Sequence, residues 1–76
     1  MNMEINYSHF LEATRKHIDE EGNKKFCIPI TATRADCVRI ANFLRNEKYI
    51  VDLDHWFEGE QEFCNLYVYP SRKELL

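Results

Sequence analysis

Glycine is scarce in this chain. Two residues, Gly22 and Gly59, are all that 76 positions hold, and no glycine-rich loop able to cradle a phosphate can be built from them. Cysteine is equally thin. Cys27, Cys37 and Cys64 are odd in number and widely spaced, unlike the even, dense frameworks of small secreted domains. Reduced thiols in a cytoplasmic setting are the expectation. No cysteine or histidine pair has the C-x2-C, H-x3-H or H-E-x-x-H spacing of a zinc site, so His9, His17 and His55 give no metal centre. Apolar runs last only a few residues, far below the ~20 needed to cross a bilayer. The first ten residues, MNMEINYSHF, lack the basic and apolar regions of a secretory signal. Neither a membrane association nor a cofactor is expected.

What is present suffices for a core. Hydrophobic residues make up 45% of the chain and aromatic ones 13%, which argues against disorder. The length suits one small domain over residues 1–76, with little stability to spare. The net charge of −3 conceals blocks: −3 over residues 1–22, +4 over 23–48 and −4 over 49–76. A basic middle of this kind complements the acidic ends or faces outward as a patch.

The most informative stretch is YIVDLDHWFEGEQEFCNLYVYP, Tyr49 to Pro70. Strand side chains alternate between faces, so a correct hairpin register must sort both arms at once. A turn at Gly59-Glu60 does so. It pairs Val51 with Val68, Leu53 with Leu66, His55 with Cys64 and Phe57 with Glu62 on one face. The other face pairs Ile50 with Tyr69, Asp52 with Tyr67, Asp54 with Asn65 and Trp56 with Phe63. Glycine as the first central residue suits a type II′ turn, which needs φ > 0 there. One face is thus mainly aliphatic, the other aromatic and acidic; the first helix either leaves that second face open or crosses it and turns Trp56, Phe63, Tyr67 and Tyr69 into core.

Ahead of the hairpin, Tyr7, Phe10, Leu11, Thr14 and Ile18 form one stripe of a helix over residues 4–21, with Gly22 placed to end it. Residues 25–30, KFCIPI, read as a short strand that Pro29 confines to a sheet edge. Thr33-x-x-Asp36 reads as a capping box opening a second helix that stops near Glu47. Its buried stripe is Cys37, Ile40, Ala41 and Leu44. Only 18 residues separate Ile30 from Tyr49, room for one helix and not for a helix-turn-helix. Pro70 closes the last strand, and residues 71–76, ending in Leu75 and Leu76, form a short tail.

The order is α-β-α-β-β. An α+β fold is expected, with a three-stranded antiparallel sheet in order 1-3-2 and two helices mainly on one face. The alternative sets the first strand parallel to the second; the antiparallel sheet is favoured because small open sheets are mostly antiparallel and because the order leaves Pro29 on an edge.

Three functional classes follow. A protein-binding module or small regulator or inhibitor, self-associating as a homodimer or holding another protein, would act through Asp52, Asp54, Trp56, Phe63, Tyr67 and Tyr69, with Asn65 beside them. A nucleic-acid-binding protein would use Lys24, Lys25, Arg34, Arg39, Arg45 and Lys48. Aromatic sheet faces also stack single-stranded bases, but here two aspartates would repel the phosphates. An enzyme is not expected. Asp52 and Asp54 have no implied pocket, and a Cys64–His55 pair would lie under the helices rather than in an accessible, electropositive setting.

Overall fold

The first helix begins where an asparagine can cap it. In the computed structural model, which describes residues 4–70, α1 spans Tyr7–Glu21. The sequence places its start at residue 4. Asn6 sets it later, because its Oδ1 accepts from the His9 amide (3.3 Å) and from Ser8 Oγ (2.8 Å), satisfying a donor that the first turn cannot. Gly22, at φ 82°, closes the helix by donating its N–H to Ile18 O. Along the stripe, Thr14 is wholly buried and returns its hydroxyl to Phe10 O at 2.9 Å, so no polar atom is left unpaired.

A short strand follows, β1, Phe26–Ile30, and then α2, Arg34–Asn46. Thr33 Oγ1 accepts from Asp36 N at 3.2 Å, as the capping box requires. The return half of the box is missing because the Asp36 carboxylate takes Arg39 Nη1 at 2.6 Å instead. At the other end Lys48 N donates to Arg45 O and Tyr49 N to Leu44 O. That pair of bonds is a Schellman closure, whose C′ residue must be left-handed. The residue there is Lys48, at φ 80°, where a Cβ costs ~1–2 kcal/mol. Lys48→Gly is therefore expected to stabilise the protein by about 0.5–1 kcal/mol after glycine's extra unfolded-state entropy is subtracted. Urea unfolding monitored by circular dichroism checks this.

The hairpin consists of β2, Ile50–Glu58, and β3, Gln61–Tyr69. The sheet is antiparallel throughout, in order β1-β3-β2, and the hairpin register is the one its alternation predicts, from Ile50↔Tyr69 to Glu58↔Gln61. Gly59 has φ 64° while Glu60 does not have positive φ, the signature of a type II′ turn. β1 adds to the other side of β3 with Phe26 opposite Val68 and Ile30 opposite Cys64.

Both helices lie on the aliphatic face. Cys37, Ile40, Ala41 and Leu44 of α2 pack on Val51, Cys64, Leu66 and Val68 to form the buried core. α1 lies beside α2, with Tyr7 against Phe43 (ring centroids 5.0 Å) and His17 stacked on Phe26 (4.0 Å). The cysteines depart from expectation. Cys37 and Cys64 are joined by a disulfide between α2 and β3, with Cα atoms 6.7 Å apart; only Cys27 is free, and it is exposed. The Thr33 cap sets the phase of α2 so that Cys37 faces the sheet directly over the inward position held by Cys64. No described helix is long and apolar enough to cross a membrane. The tail over residues 71–76 lies outside the described residues.

Candidate functional site: the aromatic–acidic sheet face

The sheet's second face is built by the same alternation that buries the first. Each rung has one residue from each strand. Register sets Tyr69 beside Ile50, Tyr67 between Cys27 and Asp52, Asn65 between Pro29 and Asp54, and Phe63 beside Trp56. Successive rungs are ~6.6–6.8 Å apart. All four rings are half-buried, and the two aspartates are exposed. None of these rings belongs to the layer of side chains packed on the buried core, since both helices occupy the opposite side.

The rings are held by one another and by short polar contacts. Trp56 and Phe63 stack with centroids 5.9 Å apart and planes 25° from parallel. The Trp56 indole N–H donates to Glu58 Oε2 at 3.0 Å. Asn65 Nδ2 donates to the Tyr67 hydroxyl at 3.3 Å. These contacts restrict the rotamers of Trp56, Phe63 and Tyr67, which lowers the entropy lost when a partner lands on them. A shallow depression lies where β1 ends short of the hairpin, bounded by Pro29, Thr31, Trp56, Phe63 and Asn65.

Charge is distributed unevenly over this face. Asp52, Asp54 and Glu58 follow one another along β2, two, four and eight positions from Ile50 in the same alternating row. At the opposite corner Lys25 Nζ sits 5.6 Å from the Tyr69 ring centroid, within range of a cation–π contact. Sequence reasoning missed Lys25 and Glu58 as members of the face. The register extended by one residue at each end contains both.

The basic residues do not converge. Lys25 belongs to the ring face, whereas Arg34, Arg39 and Arg45 are on α2, on the other side of the sheet. Arg39 is paired with Asp36, and Arg45 donates to Val51 O and to Asn42 Oδ1. The Arg34 backbone N–H is held by Glu62 Oε2 at 3.2 Å. Lys24 and Lys48 are exposed at separate loops, after α1 and after α2. The two cysteine–histidine partners of the sequence are also separated chemically: Cys64 is bonded to Cys37, and His55 Nε2 lies 2.9 Å from Glu62 Oε2. Among the described residues no three potential ligands surround a metal site. Comparison with known proteins adds nothing to this geometry: no protein-family model, curated protein or solved structure matches the chain.

Proposed function

We propose that this protein is a non-catalytic binding module, a small regulator or inhibitor, that holds another protein through the aromatic–acidic face of its sheet. One observation carries the reading: Trp56, Phe63, Tyr67 and Tyr69 share the side of the sheet away from both helices, two groups of rings with Asp54 and Asn65 between them and Asp52 alongside. Several adjacent rings on a surface are costly in solubility, and such patches mark interaction sites. Tryptophan and tyrosine contribute most where interfaces are strongest. The carboxylates at the rim select a partner with basic residues around its own apolar centre. The intracellular setting expected from the odd cysteine count loses that ground with the Cys37–Cys64 bond and is not part of this proposal.

The test is the double variant Trp56→Ala, Tyr67→Ala. Its rings lie outside the core, so circular dichroism is expected to report an intact fold. Association with the partner, or with a second copy in sedimentation analysis, is expected to weaken by at least about a hundredfold, since two interface rings each contribute roughly 1.4–2 kcal/mol or more. Undiminished association by a folded double variant rejects the proposal. Trp56 is the sole tryptophan, so a blue shift of its emission on complex formation reports burial of this face directly.

A further inference from the structure

Among the described residues β2 is the outer strand of the sheet, and the turn defines which of its backbone groups face the outer edge. In an antiparallel pair, directly opposed residues alternate between those that exchange both backbone hydrogen bonds and those that exchange none. A two-residue type II′ loop makes the flanking pair, Glu58 and Gln61, a bonded one. Counting back by twos, Trp56, Asp54, Asp52 and Ile50 also turn their backbone groups toward β3. Phe57, His55, Leu53 and Val51 turn theirs outward. Arg45 of α2 corroborates this phase, because its Nε and Nη2 donate to Val51 O. That contact occupies the first outward acceptor and leaves those of Leu53, His55 and Phe57 along the open edge.

The side chains flanking that edge differ on its two sides. On the helix side are Leu53 and Phe57, and Phe57 is 61% exposed, the one large hydrophobic residue so open among the described residues. On the ring side run Asp52, Asp54 and Glu58. Neither proline nor lysine interrupts β2, so this edge lacks two of the usual guards against pairing.

We propose that the edge from Leu53 to Phe57 receives an extended segment of the partner protein, added antiparallel as a fourth strand. This rests on the protein-binding reading above and gives its mode. Partner residues opposite Leu53, His55 and Phe57 exchange backbone bonds with them and place their side chains on the helix side, so they are apolar. The intervening residues lie beside Asp54 and Trp56, with Asp52 and Glu58 at either end of the row, so lysine or arginine suits them, by charge at the carboxylates and by cation–π contact at the indole. The occupant is an alternating apolar–basic segment. A second β2 is disfavoured, since it would set one row of carboxylates beside another.

The probe is a synthetic peptide of alternating valine and lysine, matched to β2 in length and titrated into the isotope-labelled full chain. Saturable shifts of the Leu53, His55 and Phe57 amides are expected, together with slowed hydrogen exchange at these three. The same peptide N-methylated at its valines is expected to bind at least about tenfold more weakly, having lost the donors that face β2. Replacing Asp52 and Asp54 with lysine is expected to abolish binding of the lysine peptide. Absence of saturable binding at millimolar peptide overturns the inference. So does binding that moves only the Trp56, Tyr67 and Tyr69 ring signals and tolerates N-methylation, but that result leaves the ring face standing as the contact surface. Failure of the ring face itself is read separately, from the Trp56/Tyr67 double variant.

Discussion

Leu66→Ala is expected to cost about 3–5 kcal/mol and to leave a large part of the population unfolded near 37 °C. Leu66 is fully buried in the central strand, between Ile28 of β1 and Leu53 of β2, with α2 packed over it. Removing its terminal carbons forfeits their transfer energy and opens a cavity that strands bonded on both sides cannot close. A 76-residue domain has only ~4–11 kcal/mol of stability in total. Tyr67→Ala, one residue further along the same strand, is the control. Its side chain is on the opposite face, and a loss of no more than about 1 kcal/mol is expected. Urea unfolding of both variants measures the difference. Equal losses would mean that the two faces of the sheet have been assigned the wrong way round.

Reduction of the Cys37–Cys64 bond is expected to lower stability by about 3–4 kcal/mol, from the loop entropy of a crosslink of this span. The two cysteines are 27 positions apart, and the loop they close contains most of α2 and all of β2. For a domain of this size the loss corresponds to a fall in Tm on the order of 15–25 °C. Thermal melts with and without dithiothreitol measure it, paired with alkylation of the denatured chain. With the bond intact only Cys27 reacts, and after reduction all three cysteines do. If all three react before any reductant is added, the two buried sulfurs are thiols in the isolated protein. The reducing setting expected from the cysteine count then holds, and dithiothreitol leaves the melt unchanged.

The two results differ in how far the sequence foretells them. The hairpin register was legible because two alternating runs flank a glycine, and only one phase sorts Val51, Leu53, Leu66 and Val68 together. Pro29 keeps β1 out of the centre of the sheet, and the choice of the 1-3-2 order over a parallel β1–β2 pair followed from the preference of small open sheets for antiparallel pairing. The start of α1 was displaced by three residues because Glu4 and Ile5 continue the helical pattern, and only the Asn6 side chain, in place, stops it. Left-handed Lys48 carries no composition signal at all, since lysine is an ordinary helix residue. Its conformation is imposed by the sharp entry into β2. The Cys37–Cys64 bond was hidden for another reason: each cysteine was correctly placed on a buried stripe, but their meeting depends on the rotation of α2 over the sheet. As for the ring face, its membership could be read from alternation. Whether a helix lay over it depended on where α1 docks, and His17 on Phe26 fixes that on the far side.

Pro29 has a meaning for stoichiometry. β1 turns the backbone groups of Phe26, Ile28 and Ile30 toward β3, which leaves Cys27 and Pro29 pointing away from the sheet, and proline brings no N–H to that border. The sheet is consequently one-ended: a strand can be added beside β2, but addition beside β1 meets a missing donor midway along a border of five residues. Head-to-tail addition of copies, β2 of one beside β1 of the next, is blocked at that border. Complexes of one protein with one strand are the expected product, and open-ended fibres are not.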